Sequence, residues 1–198
     1  GEFYRFRLPI TTAVSATERP LGVPFVEPTY LPARSLSGKE YTCELVTVAP
    51  KKKSRKYRYA YGFTGFAGPE EDLLGPAGGF LKWALVKTNL DVADSIACGT
   101  ADDSAYSATI WEEPNCYPSE PTFVSSGKAG AEDDGVLLSQ VYDGTRRETF
   151  LLILDAMEMK EIARCYTGMK IPVPFHGQFF DLRVDEDKVA EPIPSILE

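Results

Sequence analysis

The sequence is short of the residues that most often do chemistry. Of 198 residues only His176 is a histidine, so no Ser/His/Asp or Cys/His triad can be singled out. The four cysteines, Cys43, Cys98, Cys116 and Cys165, form no Cys-x-x-Cys pair, which excludes the usual zinc spacings. Buried free thiols in a reducing compartment are the expectation. No stretch of about 18 apolar residues occurs, which excludes a membrane-spanning helix. No signal or transit peptide is visible, although a processed chain would have lost one. Positive charge is also in deficit. Lys and Arg number 21 against 29 Asp and Glu, a net charge of −8, which disfavours nucleic acid and anionic surfaces as partners. One cluster runs against this: Lys51, Lys52, Lys53, Arg55 and Lys56. It reads as a solvated hairpin loop or a docking patch.

What is present is ordinary globular material. Apolar residues make up 43% and charged residues 25%, and a chain this long can bury about 70% of its unfolded surface. The chain opens Gly1-Glu2-Phe3-Tyr4 without a methionine, which suggests a processed chain or a piece of something longer. Period-two alternation predicts strands over Glu2–Leu8, Tyr41–Val48, Tyr57–Tyr61, Phe80–Leu90, Ser107–Trp111, Gly135–Tyr142, Phe150–Leu154 and Ile162–Tyr166. Asp143-Gly144 signals a hairpin. Asp155–Lys160 is a compact connection with up to one helical turn. The glycine-rich stretch 62–79 lacks Gly-x-x-x-x-Gly-Lys-Ser/Thr, so it reads as a loop and not a phosphate cradle. No amphipathic helix of ordinary length is found. Many short strands with regular turns predict an all-β sandwich, barrel or propeller.

Acidic pairs are common. Glu112-Glu113 and Asp133-Asp134 put neighbours on opposite strand faces and read as solvated edges. Glu132-Asp133-Asp134-Gly135 reads as a turn before a strand or a calcium loop. Glu44 interrupts an apolar strand pattern, where the plain reading is a solvent-facing side chain. His176 sits in Ile171-Pro172-Val173-Pro174-Phe175-His176-Gly177-Gln178-Phe179-Phe180. Two prolines stiffen the approach, and the apolar flanks point the ring into a water-poor place. Neutral imidazole is a common metal ligand; a satisfied loop histidine is the alternative.

Several motifs then fall in one order. They are Tyr57-Arg58-Tyr59-Ala60-Tyr61-Gly62, Asn115-Cys116-Tyr117-Pro118-Ser119-Glu120-Pro121-Thr122-Phe123-Val124 and Glu132-Asp133-Asp134-Gly135-Val136-Leu137-Leu138-Ser139. Leu151-Leu152-Ile153-Leu154-Asp155-Ala156, Glu161-Ile162-Ala163-Arg164 and Pro174-Phe175-His176-Gly177-Gln178-Phe179 follow. In this order they resemble the C-terminal part of the carotenoid cleavage oxygenases, in wording closest to the animal branch of β-carotene oxygenases and retinoid isomerase. The resemblance implies the last blades of a seven-bladed β-propeller, with residues 1–198 forming one portion and no second domain. It implies ferrous iron on four histidines, of which His176 is the last. Glu120 and Glu44 are implied as carboxylates that orient ligand histidines, which fixes tautomer and basicity. The implied chemistry is oxidative scission of a polyene double bond in a carotenoid or apocarotenoid.

The departures also carry expectations. Three ligand histidines are absent from the chain, so Fe2+ is expected only if a further chain or the remaining N-terminal part supplies them. Glu44-Leu45-Val46 lacks the family's proline. The alternative expectation is therefore a degenerate, non-catalytic structural or pigment-binding subunit of a larger assembly. No nucleic acid partner is expected. The expected location is an intracellular reducing compartment, with any membrane association carried by the missing part.

Overall fold

A computed structural model of the protein describes residues 2–6, 28–66, 82–102, 104–127 and 130–180. Expectations that fall on Arg7, Leu8, Phe80 and the glycine- and proline-rich stretch after Phe66 lie outside the described residues. Short strands come first: β1 (Phe3–Arg5), β2 (Thr29–Leu31), β3 (Ala33–Arg34) and β4 (Glu40–Tyr41), paired as β1-β2 and β3-β4.

Two antiparallel meanders follow. The first runs β5 (Glu44–Thr47), β6 (Tyr59–Phe66), β7 (Lys82–Asn89) and, after helix α1 (Leu90–Ala97), β8 (Ala108–Glu112), in that spatial order. The second comprises β9 (Cys116–Pro118), β10 (Thr122–Ser125), β11 (Gly135–Asp143), β12 (Glu148–Asp155) and β13 (Glu161–Tyr166). It runs β10-β11-β12-β13, with β9 also paired to β11. Gly62 and Gly65 belong to β6 and not to a loop as expected. Helix α1 was not anticipated; Asn89 ends β7 and caps the helix, its side chain accepting the Val92 N–H, which satisfies one orphan donor of the first turn.

The expected hairpin at Asp143-Gly144 is formed. Asp143 Oδ1 accepts the N–H of Thr145 and Arg146, both at 2.9 Å. Between β12 and β13 the chain turns without a helix, and Asp155 Oδ1 accepts the N–H of Met157 and Glu158.

One apolar cluster joins the sheets. Tyr61, Leu85 and Trp111 from the first meet Phe123, Leu137, Val141, Phe150, Leu152 and Leu154 from the second. Tyr61 stacks on Phe123 with ring centroids 5.5 Å apart. Each such side chain is worth roughly 1.5–3 kcal/mol when fully buried.

A polar knot sits beside this core and corrects the sequence reading of the acidic run. Asp133 is buried and not a solvated edge. Lys87 Nζ donates to Asp133 Oδ2 at 2.6 Å and to the Met157 carbonyl at 2.8 Å, and lies 4.3 Å from the Tyr59 ring centroid. Glu132 Oε1 accepts the N–H of Arg58 and Tyr59 at 2.7 and 2.8 Å. The run is the turn before β11, and its carboxylates clamp one sheet to the other. Glu113 departs from expectation in the same way: it is half-buried and grips Arg164, with Nη1–Oε1 at 3.2 Å and Nη2–Oε2 at 2.5 Å.

The cysteines are all free, but only Cys43 and Cys116 are buried; Cys98 and Cys165 are exposed. Cys98 ends α1 at the surface, and Cys165 points outward from the edge strand β13. Burial pushes the thiols of Cys43 and Cys116 up to about 12. The basic cluster forms a short turn and loop between β5 and β6, with Lys52 3.5 Å from Glu132 and Lys56 3.9 Å from Asp91.

Candidate functional site

Glu120 stands where the first strand of the second sheet breaks. Pro118 pairs with Val141 and Thr122 with Leu138. Three residues, Ser119 to Pro121, therefore oppose two, Ser139 and Gln140, which is a β-bulge. Bulges re-aim a side chain, and prolines on both sides of Ser119-Glu120 remove donors that would otherwise complete the ladder. The bulge is held from below: Ser119 N–H donates to the Gln140 carbonyl at 2.9 Å, and the buried Ser139 hydroxyl donates to the Ser119 carbonyl at 2.9 Å.

The Glu120 side chain meets the segment that carries the histidine. Its Oε2 lies 3.3 Å from His176 Nδ1 and accepts the Gly177 N–H at 3.0 Å. With the proton on Nδ1, that nitrogen donates to the carboxylate and Nε2 keeps a lone pair for a ligand or a proton. Residues 56 positions apart are thus brought together.

The ring's surroundings correct the sequence reading. The His176 side chain is 73% exposed, and Phe175, Phe179 and Phe180 beside it are exposed as well. Among the described residues nothing packs over this face. The apolar flanks make a surface here and not a water-poor pocket.

Glu44 occupies a matching position in the first sheet. It opens β5, the first strand of its meander, and is exposed. The strand is irregular here too: register shifts between Glu44 and Thr47, and Leu45 has φ of 47°. A Cβ on Gly62 of the next strand would lie 2.6 Å from the Glu44 carbonyl oxygen and closer still to Cys43 Sγ, so only glycine lets β6 approach. Glu44 is not among the partners of His176 or Glu120 in the contacts described.

A cleft of about 610 Å³ runs between the two first strands. Val46, Thr47 and Lys53 line one wall, and Glu120, Phe123 and Phe179 line the other. A smaller cavity of about 320 Å³ holds His176 with Glu120, Leu138, Gln140 and Leu151. Among the described residues no cluster of three or more His, Cys, Asp or Glu is arranged to hold a metal ion. The one imidazole with its orienting carboxylate is a donor suited to a metal, but it is a single ligand. Sequence reasoning did not find Gln140 and Thr149, which hold the His176 segment; Gln140 interrupts an apolar run, while Thr149, at the polar start of β12, gave no signal.

Residues 1–181 match the family model described as retinal pigment epithelial membrane protein. A torulene dioxygenase from Fusarium fujikuroi is 30% identical over 182 residues, covering 88% of this chain and 25% of that protein. A mitochondrial carotenoid-cleaving dioxygenase from Mustela putorius furo is 45% identical over 71 residues, covering 35% of this chain and 13% of that protein. The chain spans about a quarter of the length of the first of these relatives. Among solved structures, cobalt-substituted Synechocystis apocarotenoid oxygenase superposes with a TM-score of 0.57 at 26% identity, over 78% of this chain and 27% of that one. The two meanders are β-propeller blades, and the all-β expectation holds.

Proposed function

The chain belongs to this carotenoid oxygenase family, and from that premise we propose that it is part of a non-haem iron(II) dioxygenase cleaving a polyene double bond. The substrate class is a carotenoid or apocarotenoid. The observation that carries the reading is the Glu120–His176 contact at 3.3 Å, at a bulge on the first strand of a blade.

In this reading His176 is one ligand of ferrous iron through Nε2. Glu120 accepts the Nδ1 proton, fixes the tautomer and raises the basicity of the ring. Glu44, at the break in β5, orients a histidine that lies outside these 198 residues. Three further imidazoles have to come from outside them too, on the same polypeptide or on another. Iron, when bound, supplies dioxygen activation at coordination positions the imidazoles leave open. The exposed Phe175, Phe179 and Phe180 are the surface the rest of the propeller covers, which excludes water from the reacting double bond.

The test is the iron content of the assembled complex. About one iron per His176-bearing chain is expected, and His176→Ala removes it. A metal-free complex with His176 intact sinks the reading. It would favour a second one, a non-catalytic structural or pigment-binding subunit. That alternative is supported by Glu44-Leu45-Val46, which lacks the family's proline.

A further inference from the structure

An imidazole that is 73% exposed is packed on little of its surface, and its one side-chain hydrogen bond is to Glu120. Whether it reaches that carboxylate depends on the backbone that carries it. That backbone is tied down upstream by two side chains of the second sheet.

The chain leaves β13, reverses at Gly168 with φ of 74°, and runs back beside Thr149 at the start of β12. Thr149 is fully buried and uses every polar group on this segment. Its N–H donates to the Met169 carbonyl at 3.0 Å, and its carbonyl accepts the Thr167 N–H at 2.9 Å. Its hydroxyl accepts the Ile171 N–H at 2.9 Å and donates to the Ile171 carbonyl at 3.2 Å. One residue further on, Gln140 Nε2 donates to the Pro172 carbonyl at 2.7 Å. Gln140 is on β11, opposite the bulge that aims Glu120, and it lines the same small cavity as His176.

From this anchor the chain reaches His176 through Pro172-Val173-Pro174. Each proline fixes its own φ and restricts the residue before it. A stiff span therefore runs from the Thr149–Gln140 anchor to the Glu120 carboxylate, which takes both the ring and the Gly177 N–H.

We propose that Thr149 and Gln140 are positioning residues for His176, fixing the 167–172 segment so that the imidazole meets Glu120 with Nδ1 protonated. The geometry stands in the metal-free chain; only its purpose rests on the ligand role given to His176 above.

The experiment uses the full chain, metal-free and labelled with ¹⁵N. His176 is the only histidine, so the imidazole nitrogen signals belong to one site. Gln140→Leu and Thr149→Val are each expected to speed exchange of the Gly177 amide about fivefold, the worth of one net hydrogen bond. Both are expected to shift the ring toward the Nε2–H tautomer, while exchange at Val141 on β11 stays unchanged. Thr149→Ser keeps the hydroxyl and is expected to stay within about twofold of the parent. Where Thr149→Val does not fold, Gln140→Leu decides alone, because its side chain is only half-buried. Unchanged Gly177 exchange and an unchanged tautomer in Gln140→Leu overturn the proposal. A positioned His176 in a complex without iron would instead defeat the ligand reading and leave the positioning intact.

Discussion

The two sheets begin alike and end differently. Each sheet opens on a buried cysteine, Cys43 just before β5 and Cys116 at the start of β9, followed by a glutamate at an irregularity, Glu44 or Glu120. In the second sheet the chain returns after the last strand and brings a histidine to that glutamate. In the first sheet the chain leaves β8 and goes on to β9, and the sequence holds no second histidine to meet Glu44. A blade therefore supplies an aimed carboxylate through its own register fault, but the imidazole has to be delivered by another segment. The junction between the sheets shows the opposite economy, because both halves of its charge pair, Lys87 and Asp133, are in this chain.

The largest effect is expected at that junction. Lys87 and Asp133 side chains are 7% and 8% exposed. Asp133→Ala leaves a buried ammonium without its counter-charge, and a loss of about 3–5 kcal/mol is expected. Denaturant unfolding measures it. The double change Lys87→Met with Asp133→Leu should recover most of the loss, since a buried pair contributes little beyond an apolar replacement. If Asp133→Ala were silent, the junction would rest on the apolar core and the Glu132 clamp, and not on the charge pair.

A smaller effect concerns acid stability of the second sheet. Desolvation pushes the Asp143 carboxyl up, but hydrogen bonds from the Arg146 N–H, the Tyr166 hydroxyl and the Thr145 N–H together outweigh it, so the group sits below the ordinary carboxylate range. A depressed folded pKa contributes stability that is present above the unfolded value, about 3.9, and is lost as pH falls through the folded value. Asp143→Asn is therefore expected to cost stability at neutral pH and progressively less below about pH 4. A difference independent of pH would remove the carboxylate's charge from the explanation.

The smallest effect is one of access alone. With a thiol reagent near pH 8 the native chain should label Cys98 and Cys165. Cys43 and Cys116, buried and held protonated with pKa values of about 12, should react only after unfolding. Labelling of either buried thiol in the native chain would show that the first strands open, and unequal labelling would show which sheet is looser.

Much of the fold was legible, and the gaps have physical causes. β11 and β12 alternate, with Leu137, Val141, Phe150, Leu152 and Leu154 facing one core, which is the pattern a half-buried strand imposes, while β7 shows as the continuous apolar run Ala84-Leu85-Val86 of a strand buried on both faces. β9 and β10 were missed because Cys116-Tyr117-Pro118-Ser119-Glu120-Pro121 carries two prolines and a bulge, and a bulge breaks the period of two. Helix α1 was not anticipated: the strand reading stopped at Leu90, Asn89 serves as both strand end and cap, and eight residues leave the helical period little room to show. The burial of Asp133 was hidden because its partner Lys87 lies 46 residues away, and no local pattern announces it. The separate roles of Glu120 and His176 came from resemblance and not from spacing, and that the two meet is seen only in the fold. The exposure of the ring depends on what covers this face, which a local motif does not encode.

The buried pair also says something about where the chain could be broken. Lys87 precedes the exposed stretch Ala97-Cys98-Gly99-Thr100, and Asp133 follows it. β8, which pairs with β7, follows that stretch as well. A protease cutting there would sever the chain without separating the pieces. One fragment would still hold the ammonium and the other its carboxylate, with the shared apolar cluster between them. The cut falls inside the first blade, between β7 and β8, and two nicked fragments should migrate as one body in native conditions and come apart only in denaturant.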